Sequence, residues 1–274
     1  MADKTEKCIF CGSKDVTNEH IFSHWTHKLL PPREKGRVIA QVGTNYLGQQ
    51  KTRLVKLPGQ LQDWQIQCVC GGHRSTCNNG WMKRLEDAAK PILTPLIEGR
   101  RTRLLPEHQA IIAAWVSLKI MVSEHWRHGS ITVHWTQRRS MMRRQIPPMA
   151  GWGIWIGHYE RVNWKGGFIS RPFFYPEAST PARIPPYYNG ASTTMVIGKL
   201  FIQVIHGPVK FLVEWWRFPL RQSGPLYRIW PPQSASIKWP CGTLTDLDAE
   251  NIANAAEVFF RRCAIDTAAR AGAP

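Results

Sequence analysis

Cys68-Val-Cys70-Gly-Gly-His-Arg-Ser-Thr-Cys77-Asn78-Asn79-Gly80-Trp81-Met82 is the stretch on which the fold turns. Its thiols run into Asn78 and Asn79, residue types that accept hydrogen bonds from the free N–H groups of a starting helix. Far upstream stand Cys8-Ile-Phe-Cys11, a thiol pair at knuckle spacing with Gly12 to close the turn, and Thr17-Asn18-Glu19-His20-Ile21. A small hairpin with little core of its own can be held by zinc, and thiolates from two distant knuckles clamp a hairpin to the helix that follows it. Cys8, Cys11 and Cys77 are the natural ligands. Cys70 is preferred as the fourth because Gly71-Gly72 lets the chain fold back toward Cys77; Cys68 and His73 remain alternatives.

Hydrolysis of a phosphodiester needs a base for water, a cation for the developing charge, and positioning. His20 titrates near neutrality and can serve as the base. Glu19 offers a hard oxygen suited to Mg²⁺ or Mn²⁺, and Asn78 a neutral one. Neighbours on a strand point to opposite faces. Glu19 and His20 can therefore share a site only at a bulge or a strand end.

Composition narrows the partners. The 274 residues carry 36 Lys and Arg against 19 Asp and Glu, a formal charge of +17. With 43% hydrophobic residues the chain is globular, and its charge excess calls for a polyanion, most simply a nucleic acid, DNA or RNA. The basic joint Arg100, Arg101, Arg103 and the cluster Arg138, Arg139, Arg143, Arg144 are the expected backbone contacts. No apolar run approaches a bilayer span, and a polar start (Met1-Ala-Asp-Lys) predicts a cytoplasmic protein with no membrane partner. Seven cysteines, five of them before residue 78, fit metal binding better than disulfides.

The order Cys-x2-Cys, Glu-His-Ile, Cys, Cys-Asn resembles the HNH (ββα-metal) endonuclease family over roughly residues 8–91, and Cys77-Asn-Asn-Gly-Trp-Met82 with Leu85-Glu86 resembles HNH-like proteins of phages and bacteria. The resemblance implies metal-dependent cleavage of DNA in a bacterial or phage-infected cell. It makes His20 the base, Glu19 and Asn78 the cation ligands, and Cys8, Cys11, Cys70 and Cys77 the structural zinc site. The chain departs from the family in the six residues between Cys70 and Cys77, in lacking a clear middle Asn, and in Trp81 and Met82, which stand where some members place another ligand. A non-catalytic, zinc-stabilised nucleic-acid-binding or phage accessory protein is the alternative.

The expected fold is α+β: a zinc-held ββα module over 1–104, then a mixed helix and antiparallel-sheet domain over 105–274. Apolar spacing predicts helices over 21–30, 80–98 (with Pro91 a kink or break), 106–127, 131–145 and 246–270. Strands are expected over 37–42, 51–57, 63–70, 151–159, 194–206, 209–218 and 226–230, with a turn at Pro58-Gly59 and a loop over 171–192. Most of the 13 tryptophans fall at core positions, and His24 and His27 are read as surface or phosphate-contacting groups.

Overall fold

A computed structural model of the chain describes residues 3–29, 38–44, 50–56, 64–71, 77–126, 131–160, 168–173, 175, 188–209, 226–232, 235–240 and 242–270. Residues 3–4, 38–44, 50–56 and 260–270 are described by backbone alone. The strands are β1 (Asp3–Lys4), β2 (Val16–His20), β3 (Val38–Thr44), β4 (Gln50–Lys56), β5 (Gln65–Cys70), β6 (Thr102–Leu104), β7 (Trp152–Tyr159), β8 (Phe168–Phe173), β9 (Gly190–Ile197), β10 (Leu200–His206), β11 (Tyr227–Trp230), β12 (Ile237–Trp239) and β13 (Thr243–Leu244). The α-helices are α1 (Lys83–Glu98), α2 (Pro106–Ser123), α3 (Trp135–Arg144) and α4 (Asp246–Arg270). The expected first helix is a tight 3-10 segment, His24–Leu29. The expected strand over 194–206 is a hairpin, because Gly198, with φ +56°, turns the chain between β9 and β10. The Pro58-Gly59 turn and most of the expected strand over 209–218 lie outside the described residues.

β1, β5 and β2 form a three-stranded sheet; β11-β7-β10-β9-β8-β3-β4, with β13 parallel to β7, form an eight-stranded one. β7, β9 and β10 of the large sheet are buried on both faces. Ile154, Ile156, Ile202 and Val204 join the core with α2, whereas Trp155, Tyr159, Phe201 and Ile205 pack with Ala255, Ile252 and Phe259 of α4. That double burial is why these strands read as unbroken apolar runs rather than alternating ones. α2 is buried from Ile112 to Ser123 on every side and is the spine of the molecule.

The boundary expected at residue 104 does not separate two cores. β3 pairs in parallel with β8, β6 pairs with β12, and one cluster runs from Cys8, Phe10 and Ile66 through Trp115 to Ile202. Pro91 does not end α1: Leu85, Ala89, Leu93, Leu96 and Ile97 bury one face, and the helix stops only at Gly99, with φ +71°. An interior proline costs ~3 kcal/mol, less than burial of several apolar side chains at ~1.5–3 kcal/mol each.

Candidate metal centre and the histidine face beside it

Val16–His20 and Gln65–Cys70 pair antiparallel, and the open end of that pair sets Val16 opposite Cys70. The first knuckle closes beside it, with Cys8 N–H donating to the Ser13 carbonyl (2.7 Å) and Gly12 N–H to the Cys8 carbonyl (2.9 Å). Gly12 takes φ +80°, where a side chain is strained. A Cβ on Gly71 would lie 2.3 Å from Thr17 Oγ1, so only glycine lets the second knuckle leave the sheet here. Its carbonyl accepts from Asn79 Nδ2 at 2.7 Å, which ties the knuckle to the helix start.

These turns gather Cys8, Cys11, Cys70 and Cys77, whose ligand atoms all lie within 4.8 Å of one another, Cys11 and Cys70 at 3.3 Å. Four sulfurs ~2.3 Å from one tetrahedral zinc stand about 3.8 Å apart, so the group can hold a single metal ion such as zinc. The 3.3 Å separation is far longer than the ~2.05 Å of a disulfide. A hydrogen bond from Cys77 pulls Cys8 down to about 4, and the same bond together with burial pushes Cys77 up. Cys11 is pushed up to about 11, chiefly by burial. Cys8, Cys70 and Cys77 are buried and Cys11 is exposed. Cys68 is buried outside the group at the irregularity of the β2–β5 pairing, and burial pushes its thiol up. His73 lies outside the described residues.

The structure gives Glu19, His20 and Asn78 separate partners. The bulge of this pairing is on β5, at Cys68 opposite Thr17 and Asn18, and leaves the alternation at Glu19 and His20 unchanged. Glu19 is therefore turned inward, 7% exposed, where Lys119 Nζ donates to its Oε1 at 2.6 Å. The same ammonium meets Glu86 Oε1 at 2.7 Å and the His20 carbonyl at 3.1 Å. Ser23 donates to Glu86, and Trp115 Nε1 donates to Ser23 Oγ at 3.2 Å. Burial pushes the Glu19 carboxyl up despite Lys119. Asn78 aims its amide nitrogen at the strand, 3.4 Å from Thr17 Oγ1 and 3.5 Å from the Asn18 carbonyl. Glu19 and Asn78 in this arrangement do not fit a shared hard-cation site.

His20 lies on the other face of β2. Gln65 Nε2 is 2.8 Å from its Nε2, and an amide N–H can only donate, so that ring nitrogen accepts. Burial, followed by the charges of His27, Lys119 and His24, pushes its pKa down, so the ring is neutral at pH 7. The His20, His24 and His27 rings form one cluster with centroids 5.1–5.8 Å apart.

Lys119 escaped the sequence reading, and Glu86 entered it only as part of the resemblance, with no role given to it. The signal was present for Lys119: a lone cation in the apolar run from Trp115 to Val122 must be paired when its helix is buried on all sides.

Among the expected phosphate contacts, Arg100, Arg101, Arg103, Arg139, Arg143 and Arg144 are exposed. Arg138 is not. It is 6% exposed and donates inward to the Val133 carbonyl at 2.6 Å, with Glu124 at 3.9 Å. The helical period sets it beside Met141 on the face of α3 that meets the core.

Glu124 is the hub of this second network. It accepts from Thr132 N–H (3.2 Å), Val133 N–H (3.1 Å) and the Thr132 hydroxyl, with His206 Nε2 at 3.6 Å. Burial pushes Glu124 up to about 7 and, with Arg138 second, pushes His206 and His125 down to about 3. The raised acid contributes stability below its ordinary value, lost as pH rises through about 7. The lowered histidines contribute above their ordinary value and lose it as pH falls toward 3. The two effects oppose each other between pH 5 and 6.5. Glu124→Gln removes the opposing acid, so stability rises more steeply with pH in that window, by up to about 1.4 kcal/mol per pH unit. Urea unfolding at several pH values measures this; an unchanged slope would mean that Glu124 does not titrate there.

Among the described residues no helix is long and apolar enough to cross a membrane. Compared with family models, with characterised proteins and with solved structures, the chain matches none, so its site is read from its own geometry.

Proposed function

We propose that this chain is a zinc-stapled, HNH-type endonuclease of the cytoplasm that hydrolyses DNA phosphodiester bonds, with His20 as the general base. The observation that carries this reading is the sulfur group at the junction of β2, β5 and the turn leading into α1. Two antiparallel strands followed by a helix, with thiols from both knuckles at their meeting point, are the order that the resemblance requires. Zinc supplies the clamp, held by Cys8, Cys11, Cys70 and Cys77. His20 presents a neutral imidazole whose one acceptor nitrogen faces the Gln65 amide, so an attacking water gives it a proton by taking the place of that contact. Arg100, Arg101, Arg103, Arg139, Arg143 and Arg144 attract the backbone. The Mg²⁺ or Mn²⁺ that the resemblance implies lacks an assembled Glu19–Asn78 site, and no step is assigned to it.

The Glu19–Lys119 ion pair favours a second reading, a zinc-stabilised nucleic-acid-binding protein without catalysis. Supercoiled plasmid with Mg²⁺, Mn²⁺ or neither separates the two. The nuclease reading expects metal-stimulated nicking that falls about a hundredfold or more in His20→Ala, with zinc content and DNA binding retained. Equal cleavage by the variant removes His20 from the mechanism. A wild-type protein that is zinc-loaded, binds DNA and leaves it intact supports the second reading.

A further inference from the structure

α3 carries a surface that neither the metal centre nor the core uses. Arg138 and Met141 face inward, while Trp135, Arg139 and Arg143 recur at helical spacing on the outside, with Thr136 and Arg144 beside them. Trp135 is 53% exposed, the one exposed tryptophan among the described residues. A protein that buries Trp115, Trp152, Trp230 and Trp239 to 2% or less leaves this indole in water. The Arg139 guanidinium lies over its ring, 5.5 Å from the centroid, and fixes the plane without covering the whole side chain. Trp135, Thr136, Arg139, Ser140, Arg143 and Arg144 line a shallow recess of about 260 Å³. That is small against a drug-sized site of ~300–1,000 Å³ and suits one planar ring. No acidic residue lies on α3.

We infer that this face is a stacking platform for unpaired nucleic acid: a base lies on Trp135 while Arg139, Arg143 and Arg144 hold the adjoining phosphates. The occupant follows from charge and shape together. Three exposed guanidiniums on a chain of net charge +17 call for a polyanion. A duplex hides its base faces, so an exposed indole adds affinity only where bases are unstacked. The inference rests on the nucleic-acid part of the proposed function and names the strand state that this surface selects.

The test is binding without added Mg²⁺ or Mn²⁺, using the zinc-loaded full chain. The probes are fluorescein-labelled oligo(dT)20, a 20-base-pair duplex, and vesicles of phosphatidylcholine with phosphatidylglycerol. Trp135→Ala is expected to weaken oligo(dT)20 about tenfold or more while changing duplex binding less than twofold, and Trp135→Phe to keep most of the affinity. Arg143→Ala with Arg144→Ala should weaken both probes and flatten the salt dependence. Equal losses on both probes in Trp135→Ala, or no loss on either, overturns the platform and leaves the nuclease reading standing. Vesicle binding that depends on Trp135 while oligo(dT)20 binding does not would make α3 a lipid-facing helix and overturns it as well. A wild-type chain that binds neither nucleic acid defeats the platform together with the reading it rests on. Failure of His20→Ala to alter cleavage leaves the platform untouched.

Discussion

Cys70→Ser is expected to lower bound metal from one equivalent to well below one and to unfold the N-terminal sheet, whereas Cys68→Ala keeps its metal. The two cysteines lie on one short strand and differ only in where their sulfurs point. Cys70 stands with Cys8, Cys11 and Cys77, while Cys68 is buried away from them. Without an ion, the knuckles are held by few hydrogen bonds and by the edge-to-face packing of Phe10 on Trp81 at 5.1 Å. Structural zinc contributes ~10–16 kcal/mol in small finger peptides at pH 7. Loss of even part of that exceeds what so small a sheet can replace. Cys8, Phe10 and Trp81 belong to the same core as α2, so the loss spreads beyond the knuckles. A fall of about 5 kcal/mol corresponds to about 10 °C or more in Tm for a chain of this size. Elemental analysis and thermal unfolding, with and without chelator, measure both quantities. Full metal content in Cys70→Ser, or its loss in Cys68→Ala, would reassign the ligand set.

The sulfur group was legible because its chemistry is local: knuckle spacing and a glycine after each pair carry meaning within a few residues. The α+β class was legible for a similar reason, since helical and alternating periods show in short windows. The reach of the large sheet was not. β3 and β4 interrupt the four-cysteine unit in sequence yet add to the sheet beside β8, and nothing local in Val38–Thr44 names a partner as distant as Phe168–Phe173. The expected role of Glu19 failed on a rule already in view. Strand alternation separates it from His20, and the bulge of the pairing falls at Cys68, opposite Thr17 and Asn18, where it does not reunite them. Arg138 failed on helical period: a cluster of four arginines on one helix cannot all face water when one position falls on the buried stripe with Met141. The histidine cluster was half legible, because the spacing of His20, His24 and His27 reaches one face only once the chain tightens into the turn over His24–Leu29.

Lys119→Met is expected to destabilise the protein by about 3–5 kcal/mol at pH 7 to 8, the range for removing one partner of a buried ion pair. Lys119 is fully buried and is the counter-charge for two carboxylates, Glu19 at 2.6 Å and Glu86 at 2.7 Å. Burial pulls its pKa down, but the two acids outweigh that and hold it above the ordinary value, so it stays an ammonium. Methionine keeps most of the side chain, one atom short and uncharged, so packing in α2 is nearly kept and what is lost is the ion pairs and the hydrogen bond to the His20 carbonyl. The pH dependence separates this from a packing defect. Burial already pushes Glu19 up, and without Lys119 the opposing pull is gone, so its folded pKa rises further. A raised acid contributes stability below its unfolded value and loses it as pH rises through the folded one. The gap between variant and wild type therefore narrows as pH falls and Glu19 takes up a proton, and widens as pH rises. Adding Glu19→Gln to Lys119→Met should recover part of the loss at pH 8 and almost none at pH 5. A loss that is the same at both pH values, and that Glu19→Gln does not relieve, would mean that Lys119 acts through its alkyl chain and that the carboxylates do not depend on it.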